Sequence, residues 1–185
     1  AVKILEFNPD IREMYSKNFK YILVDEYQDT NFIQSKWLNL LSEKNKNICC
    51  VGDDDQSIYS WRGAEVENIF KFEKEYENVK VIKLEKNYRS TGNILNAANY
   101  LIAKNKNRMG KKLWTDDKQG NKIEVINTNS NEEEATYISD KIEELNSLGM
   151  SLKNFAILVR ASYQTRAFED RFIKIGLPYK IIGGT

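Results

Sequence analysis

The chain of 185 residues has no histidine and only two cysteines, so the usual ligand set for a structural zinc site is missing. Cys49 and Cys50 are adjacent in an apolar run expected to form a strand, where neighbouring side chains leave on opposite faces and a disulfide between them is disfavoured. No apolar run approaches the ~20 residues of a membrane-crossing helix, and no segment has the layout of a signal peptide. A reduced, cytoplasmic setting with no membrane partner is therefore the expectation. An excess of either charge is also lacking, with 28 Lys and Arg against 27 Asp and Glu, so any grip on nucleic acid must come from local features. Nowhere does Gly-x-x-x-x-Gly-Lys-[Ser/Thr] occur, which removes the loop that cradles phosphates and its lysine. What remains, 41% apolar and 30% charged residues, is the composition of an ordinary globular protein of one or two domains.

The richest information lies in two places where an apolar run ends in polar side chains. Tyr21–Asp25 reads as a buried strand of a parallel sheet and leads directly into Asp25-Glu26-Tyr27-Gln28-Asp29-Thr30-Asn31. Ligands of open α/β sheets bind beyond the carboxyl ends of the strands, which sets Asp25 and Glu26 at the mouth of a site. There, Asp25 could hold a Mg²⁺ ion through water while Glu26 polarises an attacking water. Asp29 and Thr30 are read equally well as caps of a helix over Asn31–Leu41. A second strand, Asn47–Val51, ends in Gly52-Asp53-Asp54-Asp55-Gln56-Ser57-Ile58-Tyr59-Ser60-Trp61-Arg62-Gly63-Ala64.

The alternation of strands and helices predicts an α/β fold with a parallel sheet. The expected elements are helix Ala64–Tyr76, strand Val79–Leu84, helix Thr91–Lys104, strand Ile123–Asn127, helix Asn131–Leu148, strand Phe155–Val159, helix Gln164–Ile175 and strand Tyr179–Ile182. Between helix Thr91–Lys104 and strand Ile123–Asn127, residues 104–122 are polar and basic, and they are read as a solvated loop in preference to a nucleic-acid groove.

The two loops resemble motifs II and III of superfamily 1 DNA helicases of the UvrD/PcrA/Rep group, and Asn87-Tyr88-Arg89-Ser90 resembles their motif IV. The resemblance covers essentially the whole chain. It implies parts of two RecA-like domains of the P-loop NTPase type, residues 1–78 as the later part of the first and 79–185 as the earlier part of the second. It also implies ATP and Mg²⁺ as cofactors and single-stranded DNA and DNA junctions as partners, with movement from 3′ to 5′. Under this resemblance Asp25 holds the metal, Glu26 activates water, Gln56 senses the γ-phosphate, Tyr88 stacks on adenine and Arg89 reaches the γ-phosphate. Tyr59, Trp61 and Arg62 contact single-stranded DNA, and Arg160 with Arg166 resembles a later, less specific motif. The P-loop and the C-terminal motifs being absent, the expectation is an internal piece of a longer helicase that does not hydrolyse ATP by itself. Two other readings stay open, a noncatalytic DNA- or protein-binding module and the motor part of a helicase–nuclease. A stand-alone metal nuclease built on Asp25, Glu26 and Asp53–Asp55 would leave Gln56, Trp61, Tyr88 and Arg89 without a role.

Overall fold

A computed structural model describes residues 1–183 and is α/β, with a small parallel sheet and seven α-helices among those residues. The elements in order are α1 (Val2–Phe7), α2 (Pro9–Asn18), β1 (Ile22–Val24), α3 (Phe32–Ser42), β2 (Ile48–Cys50), α4 (Glu67–Glu75), α5 (Gly92–Ile102), α6 (Asn131–Ser147) and α7 (Thr165–Ile175). They form two compact units, Ala1–Ile123 and Glu124–Thr185.

In the first unit β1 and β2 pair in parallel, with Ile22 opposite Ile48, Leu23 opposite Cys49 and Val24 opposite Cys50. Their connection is α3, whose start is fixed by a reciprocal capping box. The Gln34 amide donates to Asn31 Oδ1 at 2.9 Å and the Asn31 amide donates to Gln34 Oε1 at 2.9 Å. The cap is thus Asn31, in place of the expected Asp29 or Thr30. Leu38 and Leu41 are buried on α3 at helical spacing, and each contributes about 1.5–3 kcal/mol by leaving water. Helix α4 returns alongside this layer. Phe72 meets Tyr27 edge-on at 5.8 Å and stacks on Tyr76 at 4.6 Å, while the Tyr76 hydroxyl donates to Asn39 Oδ1 at 2.6 Å.

The sheet is smaller than the apolar runs imply. Leu23 is 80% exposed, so β1 has one open face and is not the fully buried strand expected. The segments 79–84, 123–127, 155–159 and 179–182 form no strand pairing among the described residues, apart from a single bridge between Lys86 and Trp114 just beyond the first of them. A helix closes its hydrogen bonds within itself, whereas a strand exists only when a neighbouring segment takes its N–H and C=O groups. These four runs have the side chains of strands and lack the partner.

Helix α5 and the basic stretch after it fold together: Asn99 Nδ2 donates to the Leu113 carbonyl at 2.8 Å and Asn93 Nδ2 donates to the Gly120 carbonyl at 2.9 Å. Residues 104–122 are therefore a held strap and not a free loop. In the second unit, α6 and α7 enclose a core of Ala135, Ile142, Phe168 and Phe172. Ser130 caps α6 by accepting from the Glu133 amide at 3.1 Å, and Arg171 ties α7 back to Asp140 at 2.9 Å.

Candidate functional site

The parallel pairing of β1 and β2 brings the two polar loops together, because both strands end on the same edge of the sheet. The Val51 amide donates to the Val24 carbonyl at 2.8 Å and the Tyr27 amide donates to the Val51 carbonyl at 3.0 Å, so the ladder continues into the loops themselves. β1 ends at Val24, and Asp25 and Glu26 follow it as exposed side chains. Glu26 has φ 50° and ψ 45°, the left-handed region that an L-residue with a long side chain seldom adopts. Its amide donates to Asp25 Oδ1 at 2.9 Å. The two carboxylates are therefore separated by a strained turn and not by strand alternation.

That turn is held by Gln28, a residue the sequence reading left without a role. Gln28 is 1% exposed. Its Nε2 donates to Glu26 Oε2 at 2.6 Å, and its Oε1 accepts from the Asp53 amide at 2.9 Å. Asp53 Oδ2 in turn accepts from Gln56 Nε2 at 2.6 Å. Glu26 and Gln56, two expected site residues from different loops, are thus joined by a continuous path of hydrogen bonds through Gln28 and Asp53. Gly52 lies beside this path, where a Cβ would stand 2.9 Å from Gln28 Oε1. The signal available in the sequence was the amide two residues after a carboxylate pair, but nothing in the spacing shows that it points inward.

Beyond Gln56 the loop turns outward. Trp61 is 69% exposed and Tyr59 is also exposed, their ring centroids 6.5 Å apart, so neither aromatic is anchored in the core. The Arg62 guanidinium lies 4.5 Å from the Trp61 ring centroid and 5.3 Å from that of Tyr59. Gly63, at φ 86°, takes the left-handed conformation that ends this turn. An exposed pair of rings with a guanidinium across them is the kind of surface on which unpaired bases stack.

Tyr88 and Arg89 sit on a turn in which Asn87 Oδ1 accepts from the Arg89 amide at 2.9 Å and the Ser90 amide at 2.8 Å. The Tyr88 ring is 82% exposed, with Lys86 Nζ 5.3 Å from its centroid. The Arg89 side chain is exposed and makes no ion pair among the described residues. Glu85, its most obvious neighbour in sequence, instead accepts from the Lys112 amide at 3.0 Å. Arg160 and Arg166 are exposed in the second unit, where Gln164 Oε1 accepts from the Arg160 amide at 2.9 Å.

The three aspartates of the second loop are engaged by the chain itself. Asp53, Asp54 and Asp55 have carboxylate oxygens within 4.8 Å of one another, a spacing a metal could use. Each is already committed: Asp53 pairs with Lys111, Asp54 Oδ2 accepts from the Met109 amide at 2.7 Å, and Asp55 takes both nitrogens of an Arg108 fork. Burial works to raise the Asp53 carboxyl above the usual carboxylate range, but the bonds from Lys111 and Gln56 outweigh it and the net shift is downward. This charge balance speaks against a nuclease centre on Asp53–Asp55.

Residues 1–77 match the UvrD/REP helicase N-terminal domain and residues 82–185 match the UvrD-like helicase C-terminal domain. A probable DNA helicase II homolog of Rickettsia felis is 56% identical over 178 residues, 96% of this chain and 27% of that protein. The ATP-dependent DNA helicase PcrA of Bacillus subtilis is 46% identical over 186 residues, covering all of this chain and 25% of that protein, and DNA helicase II of Haemophilus influenzae is 44% identical over 182 residues. The chain spans about a quarter of the length of these relatives. Two adjoining family matches, relatives that align over 96% or more of this chain, and a sheet edge that gathers both polar loops lead to one conclusion: the chain belongs to the UvrD-like helicase family.

Proposed function

We propose that this chain is an internal part of an ATP-dependent DNA helicase that moves along single-stranded DNA from 3′ to 5′ and acts at DNA junctions. In this reading residues 1–78 belong to the first RecA-like domain and residues 79–185 to the second. The observation that carries it is the path Glu26–Gln28–Asp53–Gln56, which joins a strand-end carboxylate to the loop presenting Tyr59, Trp61 and Arg62. The path supports this reading because it ties the carboxylate read as activating water and the rings read as stacking bases to one hydrogen-bonded frame.

The residues divide the work by chemistry. Glu26, whose second carboxylate oxygen has no partner among the described residues, orients the attacking water and takes its proton. Asp25 is an exposed carboxylate engaged only by the neighbouring amide, a hard oxygen donor suited to Mg²⁺ held through water. When bound, that ion would supply charge neutralisation on the phosphates of ATP. Gln56 reads the γ-phosphate as a neutral donor, Tyr88 offers its open face to the adenine, and the unpaired Arg89 stabilises charge developing on the transferred phosphoryl group, a contribution of about 10³–10⁵ in rate for such arginines. Because no phosphate-cradling loop is present in these 185 residues, the chain alone turns over no ATP.

The test is Mg²⁺-dependent ATP turnover with and without single-stranded DNA, for this chain and for the longer gene product that carries it. Turnover confined to the longer protein, stimulated by DNA and lost in Glu26→Gln, is the expected result. Robust Glu26-dependent turnover by the 185-residue chain would refute the division, and silence from both would refute the helicase reading.

A further inference from the structure

We propose that Arg108 and Lys111 are positioning residues that latch the Asp53–Asp55 turn, and through it fix Gln56 and the Tyr59–Trp61 pair for coupling between nucleotide and DNA. The inference rests on the helicase reading above for its consequence in turnover, but its geometry stands separately.

The latch is built from one short stretch of the basic strap. Arg108 Nε donates to Asp55 Oδ1 at 2.9 Å and its Nη2 donates to Asp55 Oδ2 at 2.5 Å, a two-pronged contact that only a guanidinium can make. The same Nη2 donates to the Lys111 carbonyl at 3.0 Å, which closes the turn 108–111 on itself and aims the Lys111 ammonium at Asp53. The Met109 amide between them donates to Asp54. One four-residue turn thus serves three successive carboxylates. The pairs are also the most sequestered among the described residues, with side-chain exposures of 16% and 12% for Arg108–Asp55 and 16% and 20% for Lys111–Asp53. At such exposure water screens a pair less than it does on an open surface. Lys83 Nζ steadies the turn from behind by donating to the Met109 carbonyl at 2.7 Å.

Position in the chain gives the latch its meaning. Asp53–Asp55 lie in the part matched by the N-terminal helicase domain, and Arg108–Lys111 lie in the part matched by the C-terminal one. Asp53 is shared, since it accepts from Gln56 and Lys111 and donates its amide to Gln28. Any displacement of residues 108–111 withdraws charge from Asp53 and Asp55 together, and the turn bearing Gln56, Tyr59 and Trp61 loses its brace. The polar side-chain contacts of Arg108 and Lys111 among the described residues are with Asp53, Asp55 and the Lys111 carbonyl, so the effect assigned to them is on the loop and not on the chemistry.

Two measurements on Arg108→Gln, Asp55→Asn and the double variant test this. In the 185-residue chain, amide hydrogen exchange at Gln56, Arg62 and Gly63 should quicken at least tenfold in each single variant, with exchange in α6 and α7 unchanged. In the longer protein, the DNA-stimulated kcat should fall at least tenfold while DNA-free turnover and the KM for ATP stay within twofold, and the double variant should be no worse than either single one. Unchanged exchange in the loop overturns the latch whatever the turnover. Faster exchange with intact DNA stimulation overturns the coupling role, as does a double variant whose losses multiply. If the unsubstituted longer protein shows no ATP turnover at all, the helicase reading falls and the exchange data alone decide the latch.

Discussion

Gln28 gives the sharpest test of the frame around the site. Gln28→Leu keeps nearly the same volume and removes both polar contacts, so the change reads the hydrogen bonds and not a cavity. The Asp53 amide, which donates to Gln28 Oε1 at 2.9 Å in a partly buried position, is left without an acceptor, and such an orphaned group costs about 1–3 kcal/mol. Losing the 2.6 Å bond to Glu26 matters less because Glu26 is exposed and water replaces the donor, so about 0.5 kcal/mol is a fair share. The total is about 1.5–3.5 kcal/mol, and at about 4 °C per kcal/mol for a unit of this size the melting midpoint should fall by about 6–14 °C. Circular dichroism melts of the 185-residue chain measure it. Gln28→Glu is the companion variant: it keeps an acceptor for the Asp53 amide but faces Glu26 with a second carboxylate, so like-charge repulsion should make it less stable than the parent chain at pH 7 and added salt should narrow the gap. A Gln28→Leu melt within 2 °C of the parent chain would refute the claim that this amide holds the two loops together.

Two further outcomes follow from the charges and thiols. Asp53 has its carboxyl held low in the folded state, so the stability it confers is present above the unfolded value of about 3.9 and is lost as the pH falls through the lower folded one. Lys111→Gln should accordingly lower the melting midpoint at pH 7, and the gap from the parent chain should be narrower at pH 3. A gap of equal size at both pH values would contradict the pairing. Burial pushes the Cys50 thiol up to about 12, whereas Cys49 on the opposite face of β2 is exposed. A thiol reagent at pH 8 should label Cys49 rapidly and Cys50 only on unfolding, and mass spectrometry of the labelled peptide distinguishes the two sites.

The helices were legible in the sequence because their information is local. The apolar spacing of 31–41, 91–104, 131–148 and 164–175 located α3, α5, α6 and α7 to within a residue or two at most ends, although the cap of α3 is Asn31 and not the expected Asp29 or Thr30. The two polar loops were legible as well, since carboxylates after an apolar run and aromatics in a polar stretch announce themselves by type, and the structure does put both loops at one edge of the sheet. Strand pairing was not, because whether Val79–Leu84 or Phe155–Val159 becomes a strand depends on a partner that no local pattern encodes. Nor could the sequence reveal that Gln28 points inward, or that Arg108 and Lys111, fifty residues away from the aspartates they serve, are spent on ion pairs and not held out to solvent. By itself the sequence determined which side chains could do chemistry and where the helices run. Tertiary structure alone decided which of those side chains meet, because a hydrogen bond or ion pair is set by distance in space, and chain separation carries no record of it.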